Sequence, residues 1–147
     1  MARVGASAGW HGNCVESMDA AKTLTYKDAG KVFMTTDSGD AGYAVTLPTP
    51  AKAGASWTAK FIVNCEIDAT LAGDGGDDIV FTPSGDTDLM MVDYIDSDSD
   101  VVHSDDNDSV TFDNTAVKGD YLDFFCDGTT FFVYGYSGVA AGITTAT

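Results

Sequence analysis

The stretch from Gly119 to Tyr136, GDYLDFFCDGTTFFVYGY, constrains the fold more than any other part of the chain. It holds two runs of aromatic residues, separated by the dipeptide Asp127-Gly128. Asp and Gly both tolerate the positive φ values of a type I′ turn, so the stretch predicts a β-hairpin with this dipeptide at its tip. Each arm carries large rings on at least one face, and burying that much aromatic area requires a second sheet packed against the hairpin.

The composition of the whole chain also favours strands over helices. The chain has 147 residues, which fits one domain with a core of its own. Of its 23 acidic residues, 21 are Asp, which favours turns and caps over helix interiors. Short β-prone segments alternate with turn signals about every 8–12 residues. We therefore predict an all-β single domain, either a β-sandwich or a β-barrel, of about 9–11 short antiparallel strands.

The two ends of the chain offer little to bury, because both are rich in small residues. We expect an extended N-terminal arm over residues 1–20, an all-β domain over residues 21–136 and a C-terminal tail over residues 137–147. Trp10 either anchors the N-terminal arm on a partner or folds back on its own domain, and both readings stay open. The candidate partner-binding residues are Arg3, Trp10 and His11.

The charge balance argues against two classes of partner. The formal net charge is −16, which repels nucleic-acid backbones and anionic membranes at ordinary salt. The uninterrupted apolar runs are too short to span a membrane, and the first residues lack the apolar stretch of a signal peptide. We expect neither nucleic acid nor membrane as a partner, and we expect synthesis and assembly in the cytoplasm.

No pattern in the sequence meets the needs of a catalytic site. A Ser-His-Asp site needs a positioned His, and the chain contains only His11 and His103. His103 lies in the acidic segment 96–108, where a neighbouring carboxylate favours its charged form. Asp pairs suited to glycoside hydrolysis remain an open alternative, because Asp is abundant throughout. We predict that the chain is not an enzyme and that it has no catalytic residues and no cofactor.

Metal binding also has little support. Cys14, Cys65 and Cys126 are far apart and show no C-x-x-C spacing, which favours buried free thiols over a zinc site. The run D-S-D-S-D at 96–100 begins like an EF-hand loop, but the following positions do not continue the pattern. We predict a solvated acidic loop over 96–108. The alternative is a weak Ca²⁺ or Mg²⁺ site among Asp96, Asp98, Asp100, Asp105, Asp106 and Asp108.

Several turn and strand-end motifs resemble small all-β modules of tailed-bacteriophage virion proteins. L-T-x-x-D-A-G-K-x-F runs from Leu24 to Phe33, and T-L-P runs from Thr46 to Pro48. D-D-I follows from Asp77 to Ile79, and G-D-x-x-x-F-x-C-D-G-T closes the pattern from Gly119 to Thr129. The resemblance extends to capsid decoration (cement) proteins and to tail-fibre segments. It covers roughly residues 24–136, although the acidic segment 96–108 has no counterpart in the family pattern.

The resemblance implies a structural virion protein, usually a homotrimer, without catalytic residues. A chain of 147 residues without a long repetitive shaft suits a capsid decoration protein better than a fibre. Such a protein would bind the major capsid protein on the outside of the phage head after assembly in the host cytoplasm. The terminal arms, Trp10 and strand edges would then supply the affinity. The alternative is a receptor- or glycan-binding tail-fibre module, in which exposed aromatic rings beside Asp side chains stack on sugar.

Overall fold

The computed structural model describes residues 15–36, 42–64, 78–85 and 89–147. Within these ranges the chain forms one helical turn, α1 (Pro50–Ala53), and one 3₁₀ turn (Tyr26–Asp28). Its strands are β1 (Val15–Met18), β2 (Lys22–Thr23), β3 (Lys31–Thr35), β4 (Tyr43–Leu47), β5 (Ala55–Val63), β6 (Ile79–Pro83), β7 (Met90–Ile95), β8 (Val101–Asn107), β9 (Ser109–Phe112), β10 (Tyr121–Asp127), β11 (Phe131–Tyr136) and β12 (Ile143–Ala146).

The strands form two sheets that pack face to face. The large sheet has seven strands in the order β1-β3-β5-β10-β11-β7-β8, and the small sheet has five in the order β12-β9-β6-β4-β2. The predicted all-β class is therefore confirmed, as a sandwich. The described residues contain twelve strands, slightly more than predicted, because β1, β8 and β12 form where an arm, a loop and a tail were predicted.

The prediction of purely antiparallel strands is wrong, because both sheets are mixed. The pairs β1–β3, β3–β5, β2–β4, β4–β6 and β7–β11 are parallel. From β1 to β6 the chain alternates between the two sheets, so that odd-numbered strands join the large sheet and even-numbered strands join the small one. Each crossing to the other layer and back returns the chain in its original direction, which makes sequential neighbours within a sheet parallel.

Aromatic side chains from both sheets meet in the core. Phe61 of β5 is fully buried, and its ring stacks on Phe33 of β3 with centroids 4.9 Å apart. It also meets Phe81 of the small sheet at 4.6 Å. Phe81 contacts Phe112 of its own sheet and Phe124 of the large sheet, both at 5.5 Å. Such ring pairs contribute about 0.5–1.5 kcal/mol each beyond the burial of their area, and here they hold the two layers together.

The predicted aromatic hairpin is confirmed as β10 and β11, with Phe125 opposite Phe132. Its tip differs from the prediction. Asp127 remains in β10, and only Gly128 at the tip has a positive φ, of 100°. The Asp127 carboxylate accepts hydrogen bonds from the backbone N–H groups of Thr129 and Thr130, both at 2.8 Å. The predicted type I′ turn is wrong because Asp127 keeps a strand conformation, in which its carboxylate accepts from the N–H groups of Thr129 and Thr130.

The acidic segment is not a loop over its whole length. β7 and β8 form an antiparallel hairpin, and only residues 96–100 form its turn. One carboxylate oxygen of Asp96 closes this turn by accepting from the N–H groups of Asp98, at 3.0 Å, and Asp100, at 3.1 Å. β8 is an edge strand of the large sheet, where acidic side chains stay solvated and discourage pairing with further strands.

The C-terminal segment is not a free tail. β12 pairs antiparallel with β9 in the small sheet, and Ile143 is buried in the core. Buried Asp120 holds the preceding turn by accepting from Gly138 N–H at 2.8 Å and from the Ser137 hydroxyl at 3.1 Å. The predicted N-terminal arm is likewise wrong over Val15–Met18, since these residues form β1. Small side chains did not prevent pairing, because strand pairing uses backbone groups.

Candidate functional site

The exposed apolar side chains of the described residues are concentrated on one surface, the solvent-facing side of the large sheet. We call this surface the outer face. Six of the seven large hydrophobic side chains that are exposed lie on it, and Tyr26 is the exception. The six are Val15, Ile95, Val101, Phe125, Tyr134 and Tyr136. Because side chains alternate along a strand, these residues point away from the core that their neighbours line.

Strand register arranges the outward side chains of the outer face in three rows. The first apolar row contains Met34, Ile62, Tyr121, Tyr136, Ile95 and Val101. The charged row contains Lys60, Asp123, Tyr134, Asp93 and His103, and on β3 and β1 it continues through Val32 and Val15. The second apolar row contains Thr58, Phe125, Phe132 and Met91. A charged stripe therefore runs between two apolar stripes.

Cross-strand ring pairs build the apolar rows. Tyr121 and Tyr136 stack with centroids 6.4 Å apart and planes 24° apart. Phe125 and Phe132 lie 6.2 Å apart on the same two strands. Direct opposition on the hairpin brings these side chains together and stabilises their positions without burying them. Phe125 is 40% exposed and Tyr134 is 52% exposed, which leaves ring surface open to solvent.

The charged row contains two ion-pair groups. Lys60 donates to Asp123 at 2.8 Å, and its ammonium group lies 4.2 Å from the centroid of the Tyr121 ring. His103 lies between two carboxylates, with Nδ1 against Asp93 and Nε2 3.0 Å from Asp105. The hydrogen bond with Asp93, together with the charge of Asp105, raises the pKa of His103. The sequence prediction that a neighbouring carboxylate favours the charged form of His103 is confirmed.

A shallow depression of about 300 Å³ interrupts the outer face where β7, β10 and β11 run side by side. Its walls combine three tyrosines, one carboxylate and aliphatic side chains. The lining residues are Asp93, Tyr94, Ile95, Val101, Tyr121, Tyr134 and Gly135. Burial, and then the nearby Asp96 carboxylate, raises the pKa of Tyr94, so its hydroxyl is neutral at physiological pH. The depression therefore offers ring faces and a negative charge side by side.

A second depression, of about 260 Å³, lies at the β2 edge of the small sheet. Leu24, Leu47 and Pro48 form its apolar part, and Lys52 contributes the charge. The exposed Tyr26 is at its border. The described residues that line it include no carboxylate and only one aromatic ring, so they offer fewer specific contacts than the depression on the outer face.

The residues predicted to bind a partner, Arg3, Trp10 and His11, lie outside the described residues, as do Cys14 and Cys65. Cys126 is described and is a buried free thiol, as predicted, and burial raises its pKa. Within the described ranges, no group of three or more His, Cys, Asp or Glu side chains is placed to hold a metal ion. The acidic turn and β8 thus present carboxylates without bringing them together as a ligand set.

Sequence reasoning identified the rings of the aromatic hairpin but missed the outer face. It used the rings as evidence for a core, but of the seven hairpin rings only Phe124 and Phe131 are buried in it. The available signal was adjacency: Phe124 and Phe125 are neighbours, as are Phe131 and Phe132. Neighbours on a strand point to opposite sides, so each such pair places one ring in the core and one ring outside it.

Among the residues that the structure describes, no helix is long and apolar enough to cross a bilayer. No protein-family model, curated protein sequence or solved structure matches this chain. The outer face and its depression are therefore the features from which a function can be inferred.

Proposed function

We propose that this chain is a capsid decoration protein that docks the outer face of its large sheet on the major capsid protein of a phage head. It would be assembled in the host cytoplasm and reside on the capsid surface, with no catalytic step and no cofactor. The observation that carries the proposal is the concentration of exposed apolar side chains on the outer face. Contiguous exposed apolar surface of this kind marks interaction sites in soluble proteins.

The size of the outer face suits a protein partner. Seven strands spaced about 4.8 Å apart span about 29 Å. A standard interface buries about 800 Å² on each partner, which corresponds to a square of about 28 Å on a side. Rings such as Phe125 and Tyr136 are the side chains that contribute most at such interfaces, because they bury a large area with few rotatable bonds.

The charges of the outer face also suit docking. The chain carries a formal charge of −16, and a face as acidic as the whole would be costly to desolvate. On the outer face Lys60 pairs with Asp123, and His103 pairs with Asp93 and Asp105. Paired charges reduce the repulsion that an approaching protein meets, while the apolar rows supply the contact area.

The homotrimeric state belongs to the same proposal, and the family resemblance supports it. Native mass spectrometry of the purified chain should give three times the mass of one chain. A single-chain mass at micromolar concentration would contradict the trimer without affecting the docking face.

Co-sedimentation with purified phage heads that lack the protein tests the docking. Wild-type protein should pellet with the heads and saturate at a fixed ratio to the major capsid protein. Phe125→Asp places a charge in the second apolar row and should weaken binding at least about tenfold. Thr82→Asp makes the same change on the exposed side of the small sheet and should bind like the wild type. Equal binding by both variants would refute docking through the outer face.

Deletion of residues 1–14 tests the predicted contribution of Arg3, Trp10 and His11. The truncated chain keeps every described strand, so its folding can be verified by circular dichroism before binding is measured. Weakened binding to heads would support a gripping arm that acts together with the outer face. Unchanged binding would show that the arm is dispensable.

A glycan-binding tail-fibre module is the second candidate, and the depression on the outer face favours it. Tyr121 and Tyr134 place aromatic rings next to the Asp93 carboxylate, which is the combination that sugar stacking and hydroxyl recognition require. Glycan-array binding that Tyr134→Leu abolishes, without binding to heads, would support this candidate over the first.

A further inference from the structure

We propose that the depression on the outer face receives a cationic side chain, an arginine in particular, from the docked protein. The proposal rests on the proposed function, because the major capsid protein would supply this side chain. It adds the chemistry of the central contact, which the apolar rows do not specify.

The chain already contains one example of the arrangement. Lys60 lies 4.2 Å from the centroid of the Tyr121 ring while it donates to Asp123 at 2.8 Å. A cation and a carboxylate of the charged row thus meet the aromatic face of a residue in the first apolar row. The ring attracts the cation through its quadrupole, and the carboxylate adds a charge-assisted hydrogen bond.

On the other side of the charged row a second tyrosine and a second carboxylate lie together, but without a lysine. Tyr134 lies between Asp123 and Asp93 in the strand register. Among the described residues, Asp93 contacts His103 through Oδ1, and its Oδ2 is left for an incoming donor. His103 also contacts Asp105, so this half of the row has two carboxylates for one imidazole. A further cation would therefore balance its charge.

An arginine fits the walls of the depression. Its guanidinium group is planar, so it can stack on the Tyr134 ring while its N–H groups donate to Asp93. Its three-carbon stem can pack on Ile95 and Val101, which line the same depression. An anionic side chain would meet the Asp93 carboxylate instead, and a purely aliphatic one would bury the Oδ2 atom of that carboxylate without a donor.

The net charge of the chain points to the same partner chemistry. An overall charge of −16 steers basic surfaces toward the protein and repels acidic ones. The apolar rows on either side would exclude water from the contact once the faces meet, which strengthens a central ion pair. The depression is therefore the place on the outer face where a basic anchor would gain most.

A titration with N-acetyl-arginine-N′-methylamide, followed by ¹H–¹⁵N correlation spectra of the full chain, tests the depression directly. Binding in the millimolar range should shift the amide signals of the lining residues of β7, β10 and β11. The citrulline analogue has the same shape without the charge and should bind at least about fivefold more weakly. Equal shifts with both compounds, or shifts elsewhere on the protein, would overturn the proposal.

Variants sharpen the same titration. Asp93→Asn and Tyr134→Leu should each weaken binding of the arginine compound by about fivefold or more. Asp98→Asn removes one negative charge at the exposed hairpin turn and is the matched control, for which binding should be unchanged. A loss with Asp98→Asn as large as with Asp93→Asn would show a general charge effect and overturn the proposal.

Binding to purified heads separates this proposal from the proposed function. If the depression receives an arginine, Asp93→Asn should weaken head binding about tenfold and reduce its dependence on salt. If Phe125→Asp abolishes head binding while Asp93→Asn has no effect, docking through the outer face is supported and the arginine site is contradicted. If the arginine compound binds in the depression but wild-type protein does not bind heads, the major capsid protein is not the source of the side chain.

Discussion

The two solvent-facing surfaces of the sandwich are built from opposite kinds of side chain. The outer face of the large sheet has two apolar rows around a charged row. The corresponding surface of the small sheet, on β4, β6, β9 and β12, is uncharged and made of small residues. Its outward side chains are Ala44, Thr46, Val80, Thr82, Ser109, Thr111, Thr144 and Ala146.

The difference shows that an exposed strand face does not require large aromatic side chains. Thr satisfies the β preference of the small sheet and exposes little apolar area. The large sheet could have used the same solution at Phe125 or Tyr136, since neither side chain is buried in the core. Core packing does not account for these rings. Strand propensity and cross-strand pairing favour them, and their exposed area is the surface that the proposed docking would use.

The largest effect should come from the core that both surfaces share. Phe61→Ala removes the ring that contacts Phe33, Phe81 and Phe124, and it should lower the free energy of unfolding by about 3–5 kcal/mol. Urea denaturation followed by fluorescence measures this loss. Thr58→Ala on the exposed side of the same strand should change stability by less than about 0.5 kcal/mol. A loss below about 1 kcal/mol for Phe61→Ala would mean that the layers are not joined through this ring.

Converting one surface into the other should separate folding from docking. The quadruple variant Tyr121→Thr, Phe125→Thr, Tyr134→Thr and Tyr136→Thr gives the outer face the character of the small-sheet surface. Binding to purified heads should weaken at least about a hundredfold, because the ring contacts are lost together. Circular dichroism should still report a folded β protein. Head binding at wild-type strength would show that the contrast between the two surfaces has no functional meaning.

A smaller effect should be confined to the small sheet. Asp120 is buried and accepts from Val117 N–H at 3.0 Å, as well as from Ser137 and Gly138. Asp120→Ala leaves these donors unpaired and should cost about 2–3 kcal/mol. Hydrogen exchange should show the loss of protection first in β12, which follows this turn. The exposed Lys118→Ala is the control, and an equal loss of protection in β10 and β11 would contradict a local role.

The smallest effect should be a pH dependence of stability that arises at the rim where the two sheets meet. Glu16 of β1 contacts Lys22 of the small sheet and Lys31 of the large sheet. The hydrogen bond from Lys22, followed by that from Lys31, lowers the pKa of Glu16. Burial opposes ionisation of Asp28, but hydrogen bonds from Lys31 and Thr25 outweigh it and lower its pKa as well.

Lowered carboxylate pKa values stabilise the fold above the ordinary carboxylate range, and this contribution is lost as the pH falls through the lowered values. The urea midpoint should therefore decrease on acidification from pH 7 to pH 3. The double variant Glu16→Gln and Asp28→Asn should show a shallower decrease. An unchanged slope in that variant would place the acid sensitivity elsewhere on the molecule.

Local patterns predicted the elements whose causes are local. The two aromatic runs within Tyr121–Tyr136 and the Asp-Gly dipeptide between them were sufficient to predict the aromatic hairpin. The tip was wrong because Asp127 keeps a strand conformation, in which its carboxylate accepts from the N–H groups of the turn. The strand β8 was missed because its acidic residues match no apolar period, and an edge position in the large sheet makes such a strand stable.

Only part of the candidate site could be predicted from the sequence. The rings of the outer face were identified, but which of them point outward depends on strand register. The charged row was out of reach, since Lys60, Asp123 and Asp93 come from three strands that are distant in the sequence. The role predicted for Arg3, Trp10 and His11 stays a prediction, because these residues lie outside the described part of the chain.

By itself, the sequence determined a strand-rich single domain, an aromatic hairpin within it and a strongly acidic surface, because strand period, turn chemistry and charge are properties of neighbouring residues. Only the tertiary structure decided that the strands pair in two mixed sheets and that one sheet carries exposed rings around a row of charges. Pairing and exposure depend on residues far apart in the chain. A period of two says that a strand has two faces, but only the packed sandwich says which of them is left open.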